Sequence, residues 1–551
     1  MYEMVYASWM RSLQPAEACN KVNHLPEPQR CQYVKETADC MDNIYLINYL
    51  TWHYCHVDSR NKFNAFWSML AMTVVATYIF WMMQKSVRAY FCPTLKVMAD
   101  TFSMNENVAG VTLLTIANGS SDLFTAVAGM LVFSKWGFLM SMAQTLFHQT
   151  FVAGLVMLTR PFYVEPGYFL RDFGFLFLNT TFMDFIHKRE SGITKLGAIP
   201  GALIYLAHVL VAIMDQRLLE ARVHQLQKIE NSELKAEQLE ELMRQTDLGV
   251  HREKIDRSAA RHRGGANRQL LQQFWASIFR FDKDQFRRGS FFVRFYLLVK
   301  EPMEMLLRLL VPVVDVEKPD YGWSKLLCCL QFIISPTYIF FILLKDVSLL
   351  GTAAYIMTFY IMLPLGCLIF WRTRTDTTPK FFRFTAILGF ISVIFLIFFL
   401  TSEVMAMFFT IGTIWHMSQS FVMATAICWG LNAGDLVAGI ALARQGFPRM
   451  AFAATFSSPV FGTFVNLALP LALETTVRSV ANAFPVEEGS FGETVCIFVE
   501  VSLVISLMSA LTTNFQMRRA CGMLLVAYYL FFLAVLVLLE TDVIHAYGVD
   551  N

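Results

Sequence analysis

Charge is scarce in this chain. Lys, Arg, Asp and Glu make up 16% of its 551 residues, against about a quarter of a soluble protein. A net charge of +2, with no basic patch interleaved with aromatics, argues against nucleic acid as a partner. The opening "MYEMVYASWMRSLQ" has neither a long apolar core nor a cleavage site, so it does not read as a secretory signal. It is not an Arg- and Ser-rich amphipathic presequence either. No CxxC pair occurs, which removes the usual spacing of a structural zinc site.

Apolar sequence is abundant: 56% of residues are hydrophobic and the mean hydropathy is +0.46. Runs close to the roughly 20 residues that cross a hydrocarbon core recur along the chain. They fall at about 66–83, 107–133, 137–159, 168–186 and 193–214, then at 325–345 and 349–371. A last set lies at about 383–409, 411–442, 450–473, 495–513 and 522–541. The chain therefore reads as an all-α polytopic membrane protein with about 12 transmembrane helices. Its expected segments are a polar, Cys-containing stretch 1–62, five helices in 63–214, a hydrophilic loop 215–324, two extra helices in 325–371, and five more in 372–551. The loop ends in "FFVRFYLLVKEPMEMLLRLLVPVVDV", which charge and proline mark as interfacial. An odd number of crossings before the loop puts it and the N-terminal stretch on opposite sides of the membrane.

The first segment holds Cys19, Cys31, Cys40 and Cys55. In an oxidising compartment they would form two disulfides, with three pairings open. The other seven cysteines lie in or beside apolar runs and read as packing residues.

Two spans carry carboxylates in their middle. Asn118, Ser120, Ser121 and Asp122 interrupt one, and Asn432 with Asp435 interrupts another. An intramembrane acid costs several kcal/mol unless balanced, which makes it a functional candidate. Laying Asp122 over Asp435 aligns "NGSSDLFTAVAG" with "LNAGDLVAGIAL". The helices that follow, "AQTLFHQTFVAG" and "TFSSPVFGTFVN", then make Phe147 and Phe461 equivalent. Five helices per half is an odd number, so the halves enter the membrane with opposite orientations, an inverted repeat with its site near the midplane. Asn118 and Asp122 (i, i+4) share a helix face, as do Asn432 and Asp435 (i, i+3). Gly119, Gly430 and Gly434 let these helices loosen and turn carbonyl oxygens toward an ion. Two carboxylates with amide, hydroxyl, carbonyl and water oxygens suit a hard cation such as Ca²⁺, or Na⁺ ions in turn.

These motifs resemble those of the cation/calcium exchanger superfamily, in the branch that holds the mitochondrial sodium/calcium (and lithium) exchanger. That branch carries G-N-G-A-P-D and G-N-S-I-G-D where this chain has Ala117–Asp122 and Gly430–Asp435. "NVAGVTLL", "LARQGFPRMAF", "LLVPVVDVEKPDYGW", the N-terminal cysteines and "LLETDVIHAYG" extend the similarity over about residues 19–547. Ser121 stands in place of the helix-breaking proline, Leu431 in place of an Asn, and Gly462 in place of another. His148 occupies a normally apolar position, and Asn23 replaces one family cysteine.

The resemblance implies a secondary-active antiporter that exchanges Ca²⁺ for Na⁺, with Li⁺ or H⁺ as further candidates, and that needs no cofactor. Asn118, Asp122, Asn432, Asp435, Ser458 and His148 form the expected cation site, with Asp122 and Asp435 as its charged ligands. The partners are then cations and the lipid bilayer, and a homo-oligomer is left open. The compartment implied is the mitochondrial inner membrane, with the plasma membrane as the alternative. A degenerate homologue that binds cations or partners without efficient transport is the second reading, carried by Leu431 and Gly462. An intramembrane aspartyl protease is a third, since "NAGD" resembles its G-x-G-D motif. The earlier span has "SSD" rather than a Tyr-Asp pair, and "ALPLAL" is not the Pro-Ala-Leu motif, which count against it.

Several residues keep two readings. His148 is a packed core histidine or a proton-linked ligand. Ser457, Ser458, Gln144, Thr145 and Gln149 are helix-packing residues or oxygen donors. Arg171, Asp172 and Asp184 are expected to be paired or near an interface, and Arg444 and Arg449 to snorkel. Restoring Asn at 431 and 462 is expected to raise exchange.

Overall fold

The computed structural model describes residues 19–37, 40, 47–57, 62–119, 122, 130–187, 195–228, 269–279, 283–288, 290–314, 322–344, 348–349, 352–375, 378–379, 381–382, 385–469, 491–541 and 543–544. Ser120, Ser121 and the basic run 257–268 lie outside them.

Helices dominate, as the apolar runs require: a chain in lipid must satisfy its backbone groups internally. In order they are α1 (Glu27–Glu36), α2 (Lys62–Ser86, continuing to Thr101), α3 (106–118), α4 (Met130–Leu146, continuing to Thr159), α5 (Pro166–His187) and α6 (Lys195–Lys228). Then come α7 (Phe291–Leu310), α8 (Lys325–Leu344), α9 (Ala354–Arg372), α10 (Thr385–Ile414), α11 (419–431) and α12 (Ala433–Gln445). The last are α13 (Pro448–Thr463, continuing to Ala468), α14 (Gly492–Thr512) and α15 (Arg519–Glu540). Two short antiparallel pairs, Phe162–Tyr163 with Gln516–Met517 and Ser348–Leu349 with Thr352–Ala353, are the strands described.

Among the described residues eight helices are long and apolar enough to cross a membrane, and α11 with α12 form a ninth span bent by 44°. The difference from twelve has local causes. The run 107–133 falls partly outside the described residues. The helix α5 carries Arg171, Asp172 and Asp184, and α4 carries Gln144, His148 and Gln149 at its centre. The charged helix α7, with Pro302 inside it, is not among the eight. The expected single span 411–442 is instead the end of α10, a turn, and the bent α11–α12 pair.

The chain packs as two units. One comprises Met1–Trp81, Asn105–Gln245 and Leu400–Asn551. In it, α13 is enclosed by its neighbours, and all residues of Pro448–Thr463 but Arg449 are buried. Outer faces remain apolar: Phe177 and Phe185 on α5 and Leu530 and Phe531 on α15 are exposed, as expected of helices bathed in lipid. Small residues let α4 and α15 touch backbone to backbone, since a Cβ on Gly522 would lie 2.6 Å from the Gly154 carbonyl oxygen. The second unit, Met82–Met104 with Thr246–Phe399, contains the α8–α9 hairpin. It also contains α7, where Arg308 pairs with Glu304 at 2.7 Å and Glu301 at 3.2 Å.

The N-terminal stretch is tied by Cys19–Cys40 and Cys31–Cys55. Tyr49 donates to Glu403 of α10 at 2.7 Å. Tyr54 donates to Asn23 Oδ1 at 2.9 Å, and the Asn23 amide donates to the Thr413 carbonyl.

Candidate cation-binding site

The duplication seen in sequence recurs in the backbone with one fixed offset. Wide π turns occupy Gly110–Leu114 and Met423–Ile427, helix breaks follow at Gly119 and Asn432, and the acids stand at Asp122 and Asp435. Each pair is 313 residues apart (110 to 423, 119 to 432, 122 to 435). The break residues share a conformation, φ −74° and ψ 6° at Gly119 against φ −93° and ψ 9° at Asn432. This alignment sets Asn118 against Leu431 and Asn432 against Gly119, so the two amides are not repeat mates. Breaks and π turns release backbone groups from the regular ladder, as functional helices in membranes commonly do.

Gly119 is where α3 ends against α13. A Cβ there would stand 2.3 Å from Cδ1 of Phe461, so only glycine allows the approach. Phe461 is in turn packed on Tyr205, ring centroids 4.9 Å apart. Thr115 and Ser457 join hydroxyls across the same pair of helices. Gly430 sits against Met405, and Gly434 is buried in the first turn of α12.

Both acids are buried, 5% exposed each. Asp435 lies in the first turn of α12, where the N-terminal end of a helix favours negative charge. Gln144 Nε2 donates to Asp122 Oδ2 at 3.1 Å. His148 Nδ1 lies 2.9 Å from the Gln144 carbonyl oxygen, and its Nε2 meets Asp435 Oδ2. A carbonyl only accepts, so Nδ1 carries a hydrogen. The contact between Nε2 and a carboxylate oxygen then needs a shared proton, which leaves the His148–Asp435 pair with no net charge. Asp122 Oδ1, Asp435 Oδ1, Ser458 Oγ and Asn466 Oδ1 have no hydrogen-bond partner among the described residues. Unpartnered buried acceptors of this kind are costly unless something binds them. Among the described residues no group of three or more His, Cys, Asp or Glu could hold a metal ion. The donors gathered here are instead two acids with neutral oxygens, a set suited to a cation in transit.

Of the remaining candidates, Asn118 ends α3 and is half-buried. Asn432 is buried, and its Nδ2 donates to the Cys428 carbonyl at 2.7 Å. Gln149 faces Ser502 at 3.1 Å and Ser506 at 3.5 Å, away from the acids. Asn466 was not singled out by sequence. It donates to Gln144 Oε1 at 3.0 Å, and its place one turn after Gly462 was the available signal. Arg171, Asp172 and Asp215 form a separate network with Asn107 and His208.

The profile of the sodium/calcium exchanger protein family matches residues 68–214 and 385–538, more than half of the chain. The chain belongs to this family. Each matched stretch carries one helix break and one of the two acids. The mitochondrial sodium/calcium exchanger protein of Rattus norvegicus is 28% identical, over 96% of this chain and 90% of its own length. That of Homo sapiens is 27% identical over 96% and 91%. Cation/calcium exchanger 5 of Arabidopsis thaliana is 25% identical over 89% and 85%. A solved structure of the sodium-calcium exchanger NCX_Mj overlays with a TM-score of 0.42 and 11% identity, over 84% of this chain and 98% of that one, too loosely to add to the family assignment.

Proposed function

We propose that this membrane protein is a secondary-active antiporter that exchanges Ca²⁺ for Na⁺ by alternating access, at a site built on Asp122 and Asp435. The observation that carries this reading is that each buried acid has one oxygen without a hydrogen-bond partner among the described residues. An empty site holding two buried acids is unfavourable, so cations of either kind compete to occupy it. Asn118, Asn432 and Ser458 supply neutral oxygens, and the glycines at 119, 430 and 434 let the broken helices move. The two repeats are inverted, and they rock about the acids so that the site opens to one side at a time. Before both carboxylates face a divalent ion, the His148 ring must swing away or the shared proton must leave. The relatives' names favour a mitochondrial location.

The test is ⁴⁵Ca²⁺ flux in proteoliposomes under imposed Na⁺, Li⁺, K⁺ and H⁺ gradients. Flux that follows the Na⁺ gradient supports the proposal. A second reading, a family member that binds cations without efficient exchange, is favoured by His148 against Asp435 and by Leu431 opposite Asn118. Saturable Ca²⁺ binding without gradient-driven flux would select it.

A further inference from the structure

The oxygens committed to protein partners follow a pattern that centres on residue 144. Its side chain holds Asp122 Oδ2 at 3.1 Å. Its backbone carbonyl, 2.9 Å from His148 Nδ1, orients the ring that meets Asp435 Oδ2. One turn of α4 thus braces both acids and leaves one oxygen of each open. A glutamine amide could face Asp122 with either end, and only the NH₂ end attracts a carboxylate. Asn466 supports this choice. Its Nδ2 donates to Gln144 Oε1 at 3.0 Å, which matches an amide whose Nε2 faces Asp122. Gln144 and Asn466 are both essentially fully buried, so water does not compete for the pairing. Room for the amide comes from Gly462, where a Cβ would lie 3.0 Å from Gln144 Oε1.

We propose that Gln144 and Asn466 are positioning residues for cation binding. Asn466 sets the Gln144 amide, Gln144 ties one oxygen of Asp122, and the cation meets that acid through Oδ1 alone. This rests on the two-acid site of the proposed function. Held on Oδ2 by the Gln144 amide, Asp122 keeps Oδ1 in one orientation for the cation, so loosening the brace costs the site a pre-oriented ligand. The brace therefore makes Ca²⁺ affinity depend on the direction of one amide.

Equilibrium ⁴⁵Ca²⁺ binding to the purified full-length protein tests this, alongside melting without Ca²⁺ as a check on folding. Asn466→Ala removes one hydrogen bond and should weaken Ca²⁺ binding about fivefold. Asn466→Asp keeps the shape but cannot donate to Gln144 Oε1, so it should weaken binding further. If Asn466 were instead a direct ligand, the added charge of Asn466→Asp would tighten binding, and that result overturns the proposal. In a Gln144→Ala background, Asn466→Ala should change affinity by less than about twofold, because the pair acts as one unit. Independent, additive effects would also overturn it. Should the Asn466 variants not fold, Gly462→Ala serves: it presses on Gln144 and should weaken binding only while Gln144 is present. Unmodified protein that binds no Ca²⁺ would instead defeat the two-acid site itself, and the positioning role with it.

Discussion

Asp172 and Asp122 are both buried carboxylates in the same helical unit, and they differ in how their oxygens are used. Asp172 Oδ1 accepts from Arg171 at 2.6 Å and from His208 at 3.0 Å, and Oδ2 accepts from Asn107 at 3.0 Å. Arg171 also donates to Asp215 at 2.9 Å and to Asn107 Oδ1. Every oxygen of Asp172 has a donor and a full positive charge stands beside it. That cluster has the properties of a structural clamp between α3, α5 and α6. Among the described residues, Asp122 takes the Gln144 amide on Oδ2 and its Oδ1 has no hydrogen-bond partner. The contrast teaches that burial and charge alone do not mark a site, whereas an acid whose coordination is left incomplete does.

The largest expected effect separates the two clusters. Asp122→Asn and Asp435→Asn should each reduce Na⁺-driven ⁴⁵Ca²⁺ flux to background, with membrane insertion retained, because an amide is easier to insert than a carboxylate. Wild-type flux in either variant would mean that the acids do not share a site. Asp172→Asn should act on stability. Breaking a buried ion pair costs about 3–5 kcal/mol, so the melting temperature should fall clearly, while Ca²⁺ affinity of the folded fraction stays within about twofold.

Next in size is the break in α3. Gly119→Ala drives a methyl into the Phe461 ring, which Tyr205 holds. Overpacking of this kind costs about 1–3 kcal/mol, enough for an approximately tenfold drop in turnover measured in proteoliposomes. Gly462→Asn follows the same logic. Sequence comparison alone expects a restored ligand and faster exchange. A Cβ there would stand 3.0 Å from Gln144 Oε1 and so push on the amide that holds Asp122, and slower exchange is the expected outcome.

The smallest effect lies in the disulfide-tied stretch. His53 is buried, and burial, with Arg30 nearby, pushes its pKa down from 6.5 to about 4. Ser68 Oγ donates to the Ala65 carbonyl at 2.8 Å, so the neutral ring donates through Nδ1 to Ser68 at 2.7 Å. A histidine whose folded pKa is depressed stabilises above its unfolded value and loses that contribution as pH falls toward the folded one. The protection of amide hydrogens at residues 49–56, each exchange rate taken relative to its intrinsic rate at that pH, should therefore be high at pH 7 and fall between about pH 6.5 and 4. Protection that is flat across this range would show that His53 does not hold the segment.

Much of the membrane architecture was legible because lipid imposes a simple rule on composition: uncharged runs of about 20 residues become helices. The two acids were legible for the same reason, since charge is conspicuous in such runs. What sequence could not give is the partner of each oxygen. His148 and Asn466 lie inside π turns at 147–152 and 464–468, which shift the helix register there, and Gln144 stands one turn before the first of them. The break at Gly119 was visible only as a glycine; that Phe461 fills the space is a tertiary fact. The aligned motifs already set Asn118 over Leu431 and Gly119 over Asn432, and the helix breaks keep the same offset.

The central claim is that incomplete coordination, and not buried charge, defines the cation site. Equilibrium ⁴⁵Ca²⁺ binding to Asp122→Asn, Asp435→Asn and Asp172→Asn, measured side by side on purified full-length protein, tests it directly. The account predicts that the first two lose saturable binding and that Asp172→Asn keeps the wild-type affinity in a less stable protein. Saturable binding that survives in Asp122→Asn and Asp435→Asn, or that disappears in folded Asp172→Asn, would contradict it.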